Sequence, residues 1–366
     1  MRFSGTIICA LSIALGTPSV VAGMFSERRV EIEAAVDKGL ACIAKRQMAD
    51  GNFPGQYGSY PGVAGLVGMA FLSMGHMPGE GEYGEILNRC VDYVLASQAG
   101  SGVFAEGHGR GNMYSHCLST LFLSEISGSV DVARQEKIHV AVAKGLNIIL
   151  RAQAIQKSRR YQGGWRYQPT SADSDLSVSG WALMALRSAR LNGAPVPDKA
   201  IDSAIRYVIG MFNRNDRMFG YSSNSSGTPS MTAVGILCLE LTGKHGHPII
   251  EPASRAILAQ VGKNHQHHHS TYANYYMAQS MFQVGGEHWE EYAAWMYPHY
   301  LKSQNTDGSW GMGSVRAGDG DGAPSGSVYD TAMTLLALSV PFRQLPIYQR
   351  DAVLEEEDEK SGRTDP

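Results

Sequence analysis

The stretch that decides the fold is Gln304-Asn305-Thr306-Asp307-Gly308-Ser309-Trp310. It places a glutamine at the end of a helical pattern, then a glycine, then an aromatic residue. We call this order of residues the tag. Copies lie at Gln47–Phe53, Gln98–Phe104 and Gln153–Trp165, with a weaker one at Phe219–Tyr221. Self-similarity of this kind is the sequence signature of a repeat architecture.

The spacing of the tag glycines predicts the number of repeats. From Gly51 through Gly102 and Gly164 to Gly220 the intervals are 51, 62 and 56 residues, and the interval to Gly308 is 88. The long interval fits two units with a degenerate tag between them, near Asn264. We therefore expect six units.

Each tag separates two kinds of helix. Before the first tag, Ile32, Val36 and Leu40 follow one another at helical spacing and form a single apolar stripe. After each tag the helix is apolar on nearly every face, which requires burial on every side. The fully apolar helices are predicted at residues 63–72, 114–123, 178–186, 231–241, 272–282 and 329–338.

Six amphipathic helices that alternate with six apolar ones predict two concentric rings. The fold class is therefore all-α, an (α/α)6 barrel or toroid of six helical hairpins, in one domain from about residue 26 to 345. No run of alternating strand residues competes with this prediction.

The two ends of the chain are predicted to lie outside the toroid. Residues 1–22 combine a basic start, a short apolar run and a small-residue site, which is typical of a secretory signal cleaved near Ala22. We expect an exported protein, periplasmic or extracellular, with no transmembrane segment in the mature chain. Residues 346–366 are predicted to form an acidic, disordered tail.

The composition excludes several classes of function. The net charge is −3, and Asp351–Pro366 alone carries seven acidic and two basic side chains, so the rest of the chain is close to neutral. A nearly neutral domain has no electrostatic reason to bind nucleic acid. The chain is 43% hydrophobic, which argues against disorder.

The cysteines do not predict a metal centre. The predicted mature chain keeps Cys42, Cys90, Cys117 and Cys238, and no two of them are spaced as a Cys-x-x-Cys pair. All four fall in apolar helical patterns, which favours buried thiols, although export leaves one or two disulfides open. We expect no cofactor and no specific metal ion.

The tag and the inner helices resemble the repeats of squalene and terpene cyclases and of protein prenyltransferase β subunits. Besides residues 304–310, the resemblance covers Gly163–Trp165, Ser179–Leu186 and Tyr329–Leu338. It extends over most of the mature chain and implies an α/α toroid. In these repeats the glutamine and the aromatic residue tie the outer helix to the loop.

The resemblance to cyclases implies an aspartic acid that protonates an alkene, within an Asp-x-Asp-Asp-Thr-Ala motif. Two partial matches occur here. Asp173-Ser174-Asp175 lacks the third aspartate, since Leu176 follows it, and Asp330-Thr331-Ala332 lacks the upstream ones. A buried acid held neutral until use suits this chemistry. Asp173, Asp175 and Asp330 are therefore candidate catalytic residues, and the competing interpretation is a carboxylate at a helix start.

The resemblance to prenyltransferases implies a zinc ion held by Asp, Cys and His, with Asp-x-Cys spacing. No Asp-x-Cys sequence occurs in the chain. Zinc-dependent prenyl transfer is therefore disfavoured.

The loops that lead from outer to inner helices should gather at one end of the barrel and carry an aromatic rim. Aromatic faces stabilise cations and bind apolar ligands. The candidate substrate-binding residues are Tyr114, Trp165, Arg166, Trp181, Tyr272, Tyr275, Tyr276, Trp310 and Tyr329. The same rim is predicted to include Tyr57, His108, Arg110, Tyr167 and Tyr221.

His116 lies one turn inside an inner helix. It is a candidate base, although a hydrogen-bonded core histidine fits the position as well. Ser179, Thr232, Tyr275 and Thr331 hold equivalent positions, so a polar ring facing the cavity is one hypothesis.

Two further segments attract attention. Histidines at 265 and 267–269 are close enough to hold a transition metal adventitiously, but they cannot all face one ion from a regular helix. Gly318–Gly322 resembles part of a calcium loop without its closing glutamate. We favour a flexible loop there.

Three functions compete at this point. The first is binding or cyclisation of an isoprenoid-like apolar molecule, with an aspartic acid as general acid. The second is a carbohydrate-active toroid, a lyase or glycosidase, in which Arg110 or Arg166 would hold a sugar carboxylate. The third is a scaffold without catalysis. The ligand would be an apolar or sugar-like small molecule in the barrel cavity, and the oligomeric state is unknown.

Overall fold

In a computed structural model, the structure describes residues 20–54, 60–105, 112–223, 225–263, 270–311, 327–342 and 344–348. Within these ranges it contains twelve α-helices, which alternate between an outer and an inner ring. The outer helices are α1 (Val20–Ala44), α3 (Gly84–Ala96), α5 (Val132–Ala154), α7 (Asp198–Gly210), α9 (Ile250–Leu258) and α11 (Gly286–Ser303). The inner helices are α2 (Pro61–Leu72), α4 (Asn112–Glu125), α6 (Leu176–Leu191), α8 (Pro229–Leu241), α10 (Ser270–Val284) and α12 (Val328–Leu338).

The inner helices form a closed ring. Each packs against the next, and α12 packs against α2. The outer helices cover this ring from outside, and α1 closes the outer ring against α11. The predicted fold class is confirmed, and every predicted inner helix matches an observed one.

The inner helices are largely buried, and side chains cap the starts of several of them. Every residue of α2 is buried, as expected for a helix that is apolar on all faces. Side chains cap the starts of α6, α8 and α12, where Asp175, Thr228 and Ser327 accept the backbone N–H three residues later. Small residues allow close packing, since a Cβ built on Gly62 would lie 2.9 Å from Cα of Ser115 on α4.

The tags fasten the outer helices to one another. Gln153 donates from Nε2 to the carbonyls of Gly163, within its own tag, and of Ala200, on the next outer helix, both at 2.9 Å. Gln98 and Gln304 make the same pair of bonds, as does Gln47 with a longer bond to Gly51. The structural role that the resemblance implied for these glutamines is therefore observed.

The fourth tag is built differently. It has no glutamine, and its place is taken by a small antiparallel hairpin of β1 (Phe212–Asn213) and β2 (Met218–Phe219). Around Asn264, where a degenerate tag was predicted, residues 264–269 lie outside the described part of the chain.

The C-terminal boundary predicted at residue 345 was placed too early. After α12, short 3-10 helices follow at Val340–Phe342 and Pro346–Tyr348, and Ile347 and Tyr348 are buried against the barrel. At the other end, α1 begins at Val20, before the predicted cleavage position at Ala22, and cleavage stays a prediction.

Candidate functional site

In four of the inner helices, α4, α6, α8 and α12, the first turn holds the tag in front of it. The backbone N–H of Trp165 donates to Oγ of Ser179 at 2.9 Å. Thr232 and Thr331 accept in the same way from Phe219 and Trp310. These positions point at the tags. The hypothesis of a polar ring facing the cavity is therefore wrong for these helices.

His116 holds the same position on α4. Its Nδ1 accepts from the N–H of Phe104 at 3.1 Å, so Nε2 carries the proton and donates to the carbonyl of Gly145 at 3.0 Å. Burial lowers the pKa of His116 to about 4, although the bond to Gly145 acts in the opposite direction. Both ring nitrogens are occupied by backbone, which does not fit the predicted role of a catalytic base.

Trp165 and Trp310 are also structural. Both indoles are buried, and their Nε1 atoms donate to the carbonyls of Ile149 and Tyr300 on the outer helices, each at 2.8 Å. They fill the space between the two rings. Their predicted place in the substrate cavity is corrected accordingly.

Asp175 is fully buried at the start of α6, at the end of the barrel where the tags lie, which we call the upper end. Its Oδ1 accepts from the N–H of Val178 at 2.9 Å and from Oγ of Ser177 at 2.5 Å. Thr228 and Ser327 occupy the equivalent cap positions in their repeats. Asp175 is therefore a helix cap that is also an acid.

Arg166 balances the charge around Asp175. Its guanidinium lies 3.3 Å from Oδ2 of Asp175 and 3.4 Å from Oδ2 of the half-exposed Asp173. Burial raises the pKa of Asp175, and the bonds from Ser177 and Val178, together with Arg166, oppose that rise. Asp173 therefore supplies Arg166 with an ion-pair partner besides Asp175.

Tyrosines surround this pair. The guanidinium of Arg166 stacks over the rings of Tyr167 and Tyr221, at 4.6 and 5.4 Å from their centroids, and the two tyrosine hydroxyls contact each other. The Tyr114 hydroxyl lies 2.5 Å from Oγ of Ser177. We call Tyr114, Arg166, Tyr167, Asp175, Ser177 and Tyr221 the mouth cluster.

We call the space enclosed by the inner ring the lumen. At its upper end, Tyr272 on α10 and Tyr329 on α12 lie across from the mouth cluster. Burial raises the pKa of Tyr272 well above its usual value, and the proximity of Tyr114, Tyr329 and Asp175 adds to this rise. Since Tyr272 is on α10 and Tyr114 on α4, this electrostatic influence acts across the lumen. Tyr272 also packs against the ring of Tyr276, with centroids 4.8 Å apart.

Deeper in the barrel, aromatic rings fill the lumen. Trp181 on α6 stacks on Tyr275 of α10 with centroids 5.6 Å apart, and it meets Tyr276 edge-on at 5.2 Å. Helix α8 lies between α6 and α10 along the ring, so these contacts also span the interior. The rings form an apolar floor beneath the upper lumen.

Asp330 lies in a different repeat from Asp175. It forms a reciprocal cap with Ser327, whose Oγ donates to Oδ2 at 2.6 Å and accepts from the Asp330 N–H at 2.9 Å. A Cβ built on Gly311 would lie 2.7 Å from the same carboxylate. Asp330 therefore packs against its own tag, and the two partial aspartate motifs do not combine into one cluster.

Sequence reasoning missed two polar residues that the structure brings forward. Ser177 links Tyr114 to Asp175, and nothing in its sequence context distinguishes it from other helix-start serines. Glu125 is fully enclosed at the end of α4. An acid that ends an otherwise apolar inner helix was a detectable signal.

Several predicted residues lie outside the described part of the chain. They are Tyr57, His108, Arg110, the histidines at 265 and 267–269, and the Gly318–Gly322 loop. Within the described ranges, no group of three or more His, Cys, Asp or Glu side chains is arranged to hold a metal ion. In the same ranges, no helix combines the length and apolar character needed to span a membrane.

The four cysteines predicted in the mature chain are buried free thiols. The disulfides that export left open are not formed. Burial raises the pKa values of Cys90 and Cys238 to about 12, so these thiols behave as small core residues.

A separate cavity of about 250 Å³ lies outside the inner ring, at the turn between α8 and α9. Its acids are already paired, since Glu240 lies 2.6 Å from His245 and Glu251 lies 2.9 Å from His288. The mouth cluster remains the stronger candidate site.

No protein-family model matches the sequence, and no curated protein sequence does. Among solved structures, the chain is similar to the type II terpene cyclase MstE from Scytonema in its apo form. The TM-score is 0.57 at 14% identity, over 86% of this chain and 99% of that one. A variant of MstE in complex with geranylgeranyl dihydroxybenzoate, its substrate, gives a TM-score of 0.55 at 13% identity over 87% and 100%. A variant in complex with merosterolic acid A, its product, gives 0.54 at 13% identity over 87% and 99%. At identities this low the similarity concerns the fold, an all-α toroid like that of the cyclase.

Proposed function

We propose that this chain binds an apolar, isoprenoid-like molecule in the upper lumen and that Asp175 supplies a proton to it. The observation that carries the proposal is the position of Asp175. It is a fully buried carboxyl group at the edge of a lumen that tyrosines line from α4 and α10. That a structurally similar toroid is a terpene cyclase with a geranylgeranyl substrate supports the choice of ligand class.

The aromatic lining suits such a ligand in two ways. Tyr114, Tyr272 and Tyr329 present ring surface to an apolar chain, and the floor of Trp181, Tyr275 and Tyr276 excludes water from below. Aromatic faces also stabilise a cation in a desolvated site. A cation formed on the ligand would therefore meet ring faces rather than water.

The environment of Asp175 suits a proton donor. Burial raises its pKa, which favours the protonated carboxyl group more than water would. Once the proton has moved to an alkene carbon, the carboxylate is stabilised by Ser177, Val178 and Arg166. The Tyr114 hydroxyl, bonded to Ser177, provides a route by which the proton is replaced.

We further propose that the protein works outside the cytosol, on the evidence of the signal-like Met1–Ala22. Mass spectrometry of the protein recovered from its native cells checks this directly. A mature N-terminus near Gly23 is expected, and an intact Met1 in the recovered protein would contradict export by cleavage.

A carbohydrate ligand is less well served by this site. The residue expected to hold a sugar carboxylate, Arg166, already pairs with the carboxylate of Asp173. An oligosaccharide of uronic acids is therefore the comparison ligand in the test below.

The test separates binding from turnover. Quenching of intrinsic fluorescence by polyprenols such as geranylgeraniol measures binding, and chromatography with mass spectrometry detects cyclised products. We expect D175N to bind polyprenols as the unmodified chain does and to form no product. D198N is the matched control, because Asp198 is exposed and pairs with Arg190 on the surface.

Two results would contradict the proposal. One is binding of the uronic acid oligosaccharide without binding of any polyprenol. The other is product formation by D175N at the rate of the unmodified chain.

A further inference from the structure

The C-terminal segment Leu345–Tyr348 closes the end of the barrel opposite the tags, which we call the lower end. Three of its four side chains, Leu345, Ile347 and Tyr348, are buried. The Tyr348 hydroxyl lies 2.5 Å from that of Tyr275, and the Tyr348 carbonyl accepts from Nε2 of Gln283 at 2.8 Å. Both partners are on α10.

The other side of the segment is held by Glu125, the last residue of α4. The Ile347 N–H donates to Oε2 of Glu125 at 3.1 Å, and Oγ of Ser188 on α6 hydrogen-bonds to Oε1. One short segment thus joins α4, α6 and α10 across the lower opening. The mouth cluster uses none of these residues.

We propose that Leu345–Tyr348 is a latch on the lower end of the barrel, which is closed while Glu125 is protonated and loosens when Glu125 loses its proton. In the neutral acid, Oε1–H can donate to Ser188 while Oε2 accepts from Ile347, so both carboxyl oxygens keep a hydrogen-bond partner. In the ionised form, a negative charge is buried away from water. Release of the segment lets water reach that charge.

The charges around Glu125 fit this behaviour. Among the described residues, Arg187 on α6, Tyr275 on α10 and Tyr348 in the latch are the charged or titratable groups near it. Burial raises the pKa of Glu125 to about 7, while Ser188, Ile347 and Arg187 oppose the rise. The folded pKa exceeds the unfolded one, so closure is strongest at acidic pH and weakens as the pH rises through about 7.

Hydrogen exchange of the latch amides tests the proposal in the full chain. Exchange is measured at about pH 5.5 and about pH 8.5, corrected for the intrinsic pH dependence of exchange, and related to opening free energies. In the unmodified chain, we expect protection of the peptide that contains Ile347 to fall by about tenfold or more at the higher pH. A peptide from α8 serves as the internal control and should not respond.

E125Q is the decisive variant. Its amide can donate to Ser188 and accept from Ile347, so it imitates the neutral acid and cannot ionise. We expect its latch to be protected equally at both pH values. Y348F is the matched control, because it loses the bond to Tyr275 and keeps Glu125, so its protection should fall and retain the pH dependence.

If E125Q does not fold, the pH dependence of exchange in S188A tests the same proposal. Ser188 opposes the rise in the pKa of Glu125, so its removal should move the opening midpoint to higher pH. The proposal is overturned if the unmodified chain shows no pH dependence, if E125Q keeps the full dependence, or if S188A moves the midpoint to lower pH.

Discussion

The N–H of Phe104 donates to Nδ1 of His116 at 3.1 Å, and in the neighbouring repeat Trp165 donates to Ser179 at 2.9 Å. A histidine and a serine thus perform one task, which is to hold the tag against the first turn of an inner helix. We therefore expect that a hydroxyl side chain can replace His116 and keep this hydrogen bond.

We expect H116T to keep the free energy of unfolding at neutral pH within about 1 kcal/mol of that of the unmodified chain. H116A should lose about 1 to 3 kcal/mol, because it leaves the buried Phe104 N–H without an acceptor. Urea denaturation at pH 7 measures both. Equal losses in the two variants would show that the hydrogen bond is unimportant.

The same residue predicts a pH dependence. The folded pKa of His116, about 4, lies below the usual 6.5, so the unfolded chain binds the proton more tightly. The contribution of neutral His116 to the free energy of unfolding is fully present above about pH 6.5. It falls by about 3 kcal/mol as the pH approaches 4. H116T should lack this part of the acid destabilisation, as shown by denaturation at a series of pH values.

The tag glutamines should contribute measurably to stability. Q153A leaves the carbonyls of Gly163 and Ala200 without their donor, which should lower the free energy of unfolding by about 2 kcal/mol. Q156A, an exposed glutamine three residues away, is the control and should change little. A similar effect of both variants would show that the two hydrogen bonds of Gln153 do not stabilise the fold.

Close packing of the inner ring can be tested at Gly68. A Cβ there would lie 2.5 Å from Cζ of Phe122 on the neighbouring inner helix, so G68A should destabilise the protein by about 1 to 3 kcal/mol. F122L should recover part of the loss in the double variant. G210A is the control, because a Cβ at Gly210 meets nothing within 4 Å.

Asp175 can be examined by stability alone. Its raised pKa means that the folded form keeps the proton longer than the unfolded chain, so stability is greatest at low pH and declines as the pH rises. D175N can still cap α6 and cannot ionise, so its stability relative to the unmodified chain should improve with pH. D175A should lose about 1 kcal/mol of cap stability throughout. A flat difference between D175N and the unmodified chain would contradict the raised pKa.

The fold could be predicted because its determinants are local and repeated. The apolar helices after each tag, such as residues 63–72, have no polar face and can only be an inner ring. The six repeats then follow from the glycine spacing.

The site was less predictable because one residue type serves two roles. Asp175 and Asp330 both start inner helices, yet Asp175 is enclosed beside Arg166 while Asp330 faces its own tag. Trp165 and Trp181 also look alike in sequence. One packs between the rings and the other crosses the lumen, and the difference is set by which face of the tag or helix it occupies.

Gln304 of the last tag donates to the carbonyl of Ala35 on the first outer helix at 2.7 Å. This bond is equivalent to the one that joins Gln153 to the next outer helix in the middle of the chain. Arg46 and Asp307 add an ion pair to the same junction. The junction that completes the circle is thus chemically the same as the junctions that peptide bonds already hold together. We therefore expect the fold to depend on the order of the repeats around the ring. It should not depend on which junction between repeats contains the two chain termini.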